Sequence, residues 1–413
     1  MIPGRRFSYC LAALTVSASS LLGAMCFLVA CSSSSADAPP RPDAAADGAP
    51  EASPEGDALV PDAPADGGSL DAAPDSSPTA DAAVDSAPSD CVPLPTQDGG
   101  YPAVTIIEDS MTRPRAIAVD PSGIYVITGD GFGTGSSAVQ RISFDGGAPT
   151  TLATADAGSE QLAIDSNSAY WVTSGGSSGD GNLLRVPLQG GATTSLATVS
   201  NGYAVAVYGS DVFFTDYYPT PGSLLTVALD GDGGAPLQTQ TSQLLIANDA
   251  VAASVAGEFW LAANNDGAGQ LNVGQVWMAP PGGGGEGKLL AQGQTAPLQI
   301  AVDDTNVYWT NQGDGMSIHG SVVKVPIAGG APVTLATMCD ITSQPWAIAV
   351  ADGQVYFTVQ QDTTPWNIES VPAAGGPATL MSVSVAPMSL AVDAHNLYFA
   401  DSSLGAVGFV PRQ

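Results

Sequence analysis

Between residues 298 and 337 four short, largely apolar runs are separated by polar or glycine-rich gaps: LQIAVD, VYWTN, SVVKVPI and PVTLAT. Each run is rich in β-branched or aromatic residues and bounded by turn formers, which predicts one four-stranded meander. Gly329 and Gly330 suit the turn before the fourth strand because glycine takes positive φ without steric cost, and Asp303 can close an Asx-turn after the first. Tyr308 and Trp309 carry more information. Consecutive side chains on a strand point to opposite faces, so two successive large rings require both faces of the sheet to be covered.

Aromatic doublets recur at the same place in the pattern: Tyr170-Trp171, Phe213-Phe214, Phe259-Trp260, Tyr356-Phe357 and Tyr398-Phe399, with Tyr125-Val126 as the weakest copy. A four-stranded unit returning every ~40–50 residues, with each sheet sandwiched between two like itself, predicts an all-β chain whose fold is a single β-propeller. The units begin near Arg115, Gln161, Tyr203, Ala250, Leu298, Trp346 and Met388, giving seven four-stranded blades. The last unit stops at Gln413 before a fourth strand, and YPAVTIIEDS (Tyr101 to Ser110) has the composition of the missing one, so the N-terminal strand is expected to close the last blade. Six blades are the alternative if the loosely patterned unit from Ala250 to Gly293 is not a blade.

The chain ahead of the repeats reads differently. Arg5 and Arg6 precede an apolar stretch from Leu11 to Ala30, the layout of a secretory signal over residues 1–30. The quartet Leu28-Val29-Ala30-Cys31 resembles a bacterial lipobox, which implies acylation (palmitate among the chains) of Cys31 and a membrane anchor; an uncleaved membrane span is the plainer alternative. Ser32 after the cysteine, rather than Asp, resembles the pattern sent to the outer membrane. Residues 31–100 are Ala-, Pro-, Asp- and Ser-rich, and from Ser32 onward carry 14 acidic residues and only Arg41 as a base. With almost no large apolar side chain this segment cannot bury a core, and we expect a disordered, extended tether. Residues 101–413 are the propeller.

Charge and cysteine usage narrow the partners. The segment 101–413 holds 26 acidic and 7 basic side chains, a balance of −19 that argues against nucleic acid and against direct adhesion to anionic lipid. Arg141, Arg185 and Lys324 recur at one place in the third strand, either as a partial cationic ring or as side chains reaching from the blade edge to water. Cys10 and Cys26 lie in the signal and Cys31 in the lipobox. Cys91 and Cys339 remain, and in an oxidising compartment they form a candidate disulfide.

Little in the sequence speaks for chemistry. Only His319 and His395 could serve as imidazole bases, and His395 stands in a turn, DAHN, where other units have DSNS and DDTN. His319 lies in the long loop NQGDGMSIHG with Asp314, on the face shared by second-to-third-strand loops and blade-to-blade connections. That face should also collect Phe132, Asp216, Tyr217, Tyr218, Trp346, Asp362 and Trp366, and aromatic rings beside carboxylates on loops suit protein or carbohydrate binding. Asp120, Asp165, Asp303 and Asp393 end the first strand of four units, as turn formers rather than a cation ring. No catalytic residue is assigned, and no metal or cofactor is expected, since dinucleotide, phosphate-loop and zinc patterns are missing.

The units, above all AVDDTNVYWTN in the fifth, resemble extracytoplasmic propellers of the NHL and YWTD type. The resemblance implies fold over about three quarters of the chain and leaves function open among binding modules, envelope-assembly subunits and a few lyases. The expectation is a lipid-anchored propeller of the bacterial cell envelope, at the outer membrane, acting as a non-enzymatic binding or scaffold module. A lyase or hydrolase using His319 with a carboxylate, and a periplasmic assembly subunit, are the alternatives.

Overall fold

The computed structural model describes Cys91 and residues 104–129, 135–155, 158–175, 181–216, 222–229, 237–240, 246–262, 274–282, 287–361, 366–383 and 385–412. These all fall in the compact unit Val84–Gln413. The signal, Cys31 and nearly all of the tether lie outside the described residues.

Seven four-stranded antiparallel sheets follow one another, six of them built in simple chain order. Blade one spans Pro114–Ala155, blade two Ala163–Val199, blade three Gly202–Gln240, blade four Ile246–Gln294, blade five Pro297–Thr337 and blade six Gln344–Val383. Blade seven takes three strands from Pro387–Pro411 and its outer one from Thr105–Glu108, which pairs with Ala406–Pro411 through Thr105↔Phe409 and Ile106↔Gly408. The N-terminal strand thus closes the ring, over a shorter span than YPAVTIIEDS suggests. The loosely patterned fourth unit is a true blade, which excludes the six-bladed alternative. The first strand of each blade touches that of the next, and the last returns to Pro114–Asp120, so these seven strands surround the axis.

The doublets explain why the blades stack. In blade five Trp309 packs with Phe259 and Leu261 of blade four, whereas Tyr308 packs with Phe357 and Val359 of blade six. Tyr125 meets Trp171 between blades one and two, Tyr170 meets Phe214 between two and three, and Tyr356 meets Phe399 between six and seven. Trp309, Tyr308, Trp260 and Phe214 have no exposed surface. Each ring of this size contributes on the order of 4–6 kcal/mol of gross apolar burial, which is why the sheets cannot stand alone.

The end of the ring that carries the hairpins between first and second strands is repetitive. Asp303 accepts the N–H groups of Thr305 and Asn306 at 2.7 Å each, and its other oxygen accepts the Tyr308 hydroxyl at 2.7 Å. Asp165 with Tyr170 and Asp393 with Tyr398 repeat the arrangement at 2.7 and 2.9 Å, and His395 donates its backbone N–H to Asp393 as an ordinary turn residue. In blade one Ser122 stands between Asp120 and Tyr125. Burial would raise the Asp303 carboxyl, but the Tyr308 hydroxyl and the turn N–H groups outweigh it and hold it below the usual range. Tyr170, by burial and by its bond to Asp165, is pushed up to about 12. These carboxylates form turns. Arg141 and Lys324 bond the backbone carbonyls of Ser122 and Ala373. Gly329 and Gly330 adopt φ of +100° and +144°, as the hairpin before the fourth strand requires.

Candidate functional site

The opposite end is less regular. Pro297, at the start of blade five's first strand, pairs with Asn311 at the end of the second, and Ser321, at the start of the third, pairs with Thr337 at the end of the fourth. The long loop and the connection to the next blade therefore share this end with the entry of the first strand.

Five of the candidate residues lie at this end. Asp216 is buried and accepts the N–H groups of Ser200 and Asn201 at 2.9 and 2.8 Å, clamping the connection from blade two. Asp401 does the same for the connection from blade six, accepting the Ala386 N–H at 2.6 Å. Asp314 takes the N–H groups of Met316, Ser317 and Ile318 on one oxygen and the Ser317 hydroxyl on the other. Its slight desolvation would raise the carboxyl, but these four donors hold it far below the usual range. His319 is fixed through Nδ1 by the Met338 carbonyl at 2.7 Å, next to the Cys91–Cys339 disulfide, whose Cα atoms are 4.8 Å apart. Trp346 and Trp366 form a tilted pair with centroids 5.6 Å apart. Phe132, Tyr217, Tyr218 and Asp362 lie outside the described residues.

Both oxygens of Asp314 accept hydrogen bonds within its own loop, while His319 is held by the Met338 carbonyl. Among the described residues no group of three or more His, Cys, Asp or Glu side chains is placed to hold a metal ion. A cavity of about 510 Å³ opens beside blade one, lined by residues that include Ser110, Met111, Thr112, Thr128 and Ser137.

Two features are absent from the sequence expectations. The first is a β-bulge at the entry of the first strand in six blades, where the register slips: Pro345↔Val359 is followed by Ile348↔Phe357, and Pro297↔Asn311 by Ile300↔Trp309. Threonines that follow the doublets take the N–H groups this slip leaves over: Thr215 from Ala204 at 3.0 Å, Thr310 from Gln299 at 3.2 Å and Thr358 from Ala347 at 3.0 Å. The signal was present in the sequence as Thr after the doublet and Pro at strand entry. The second is Glu369, on the face that packs against blade five. It pairs with Phe357, whose ring lies in the cluster with Tyr308, and its neighbour Asn367 donates to it at 2.7 Å. Burial pushes its carboxyl up to about 8, so it is neutral at pH 7.

Fold and ring define a seven-bladed β-propeller. No family model matches the chain, and no curated protein is similar to it. Solved propellers share the fold. YCF48 bound to D1 peptide aligns at 9% identity and TM-score 0.54 over 79% of this chain and all of that one. The WD40 propeller domain of Doa1 aligns at 12% and 0.53 over 76% and 98%. An S511A puromycin hydrolase complexed with PGG aligns at 13% and 0.54 over 74% and 55%. At these identities the likeness is one of fold.

Proposed function

We propose that the chain is a lipid-anchored propeller of the bacterial cell envelope, of the NHL/YWTD-like kind, whose loop-bearing end binds protein or carbohydrate without catalysis. The observation that carries the binding reading is the Trp346–Trp366 pair, aromatic surface held at the loop-bearing end. The occupied oxygens of Asp314 weigh against a His319–carboxylate hydrolase or lyase. The apolar stretch ending in Leu28-Val29-Ala30-Cys31 supports the lipid anchor and an outer-membrane location. YCF48, of the same fold, is known bound to peptide, so the fold admits such a partner.

Photo-cross-linking in native membranes, followed by partner identification, tests this. A partner or glycan recovered with the wild type, and equally with His319→Ala, is the expected result. Turnover abolished by His319→Ala would overturn the non-catalytic reading. Labelling with a palmitate analogue, lost in Cys31→Ala, tests the anchor.

A further inference from the structure

We propose that the entries of the first strands build a ring around the propeller axis at the loop-bearing end, and that this ring takes an apolar side chain of a basic peptide segment from another protein. The inference rests on the binding reading above and names the ligand class. Counting back from the shared Asp or from the pairing register, one position recurs in six blades with described side chains: Arg115, Tyr203, Leu298, Trp346 and Met388 at bulged entries, and Glu160 three residues ahead of the short first strand Ala163–Ile164. Four of these follow directly on Pro114, Pro297, Pro345 and Pro387. A bulge re-aims the side chain it carries, and bulges concentrate beside functional sites.

The first strands that carry these positions surround the axis, and contacts join neighbouring blades there. Arg115 Nη1 lies 3.2 and 3.1 Å from the two carboxylate oxygens of Glu160, its counterpart one blade on, with both side chains half-buried. The ring is fixed in advance of any ligand: the Thr310 hydroxyl of blade five donates to the backbone carbonyl of Trp346 at 3.0 Å, and the Ser389 hydroxyl of blade seven accepts the Ile117 N–H at 3.3 Å.

The chemistry is divided around the axis. Blades five to seven give a continuous apolar arc of Leu298, Trp346 and Met388, of which Leu298 is buried and the other two half-buried. Blades one and two give a mutually paired cation and anion, and blade three gives Tyr203. A sugar would stack on Trp346 but leave hydroxyls without partners against Leu298 and Met388, which is costly on desolvation, whereas an apolar peptide side chain leaves none. The flanking charge follows from the segment 101–413, whose 26 acidic and 7 basic side chains attract a basic chain and repel an acidic one. The acidic residues 32–100 carry the same sign of charge and few large apolar side chains, so a basic segment of another protein is the complementary occupant.

The test uses the full-length protein and short fluorescent peptides read by anisotropy. One peptide carries tryptophan between two pairs of lysines; others replace the tryptophan by alanine or the lysines by glutamates. A hexamer of β-1,4-linked N-acetylglucosamine is the carbohydrate probe. The lysine–tryptophan peptide is expected to bind, more weakly as salt rises, with the alanine and glutamate versions weaker by about tenfold or more. Trp346→Ala is expected to cost about tenfold, with Trp346→Phe recovering most of it. Met388→Ala and Tyr203→Phe, with unfolding midpoints and near-ultraviolet circular dichroism as fold controls, serve if Trp346→Ala does not fold. Peptide binding unchanged in all these variants, or binding of neither probe, overturns the ring assignment, while partners recovered by cross-linking leave the broader reading standing. Trp346-dependent binding of the hexamer in preference to the peptide overturns the peptide occupant.

Discussion

The two ends of the propeller are built from the same repeat but obey different rules. At the hairpin end three blades place the same Asp against the same Tyr, at 2.7, 2.7 and 2.9 Å. At the loop end the equivalent position at the entry to the first strand holds Arg, Glu, Tyr, Leu, Trp and Met in six of the seven blades. Uniformity at one end follows from a shared structural task, fixing a tight turn and satisfying a buried hydroxyl. At the other end the bulge and the threonine that satisfies it are what recur, while the side chain they present varies freely. The fold therefore concentrates its constraint at one end and leaves the other available for recognition.

The largest effect that would sharpen this contrast comes from the rings between blades. Trp309→Ala should lose about 3–5 kcal/mol in urea unfolding, because Trp309 is fully buried between blades four and five. Trp346→Ala at the loop end should lose no more than about 1–2 kcal/mol. Equal losses would break the distinction between framework and loop end.

Acids toward the two ends should respond to pH with opposite signs. Glu369 has a folded pKa raised to about 8, so its stabilising proton is fully held below the unfolded value near 4.5 and is lost as pH rises through about 8. Wild type should lose about 2–4 kcal/mol between about pH 5 and pH 8.5 from this group, and Glu369→Gln should flatten that slope. Asp303 and Asp393 have lowered pKa values, so their contribution is present above the ordinary carboxylate range and is lost as pH falls through the folded values. Urea midpoints across pH check both limbs; a Glu369→Gln slope identical to wild type would refute the assignment.

The disulfide lies at the loop end and joins residues 248 apart in sequence. Reduction, or Cys339→Ser, should lower stability by about 2–3 kcal/mol, and Cys339→Ser should be insensitive to reductant in thermal scans. The smallest effect is expected from Tyr308→Phe, which removes one hydroxyl from Asp303 and should cost about 1 kcal/mol near neutral pH. That variant should also lose less than wild type on acidification, since part of what depresses the Asp303 carboxyl is gone.

Fold was legible because its cause is local and repeated. A doublet such as Tyr308-Trp309 states that both faces of a strand are dry, and seven near-copies leave radial stacking as the arrangement that satisfies them all. The turn role of Asp303, Asp165 and Asp393 was legible for the same reason, being closed within three residues. The candidate site was legible only in outline. Strand polarity placed Asp314, His319 and Trp346 at one end, but it does not tell that Asp314 would take up both oxygens in its own loop, or that Glu369 would be sealed against blade five.

By itself, then, the sequence determined the repeat, the strand count and the closing strand, because side-chain alternation and turn chemistry act over a few residues. The tertiary structure alone decided which groups meet across blades, such as Arg115 with Glu160 and the Trp346 carbonyl with the Thr310 hydroxyl, and where the first strands bulge. Those pairings depend on the rotation from each blade to the next, a sum over the whole ring that no local pattern contains.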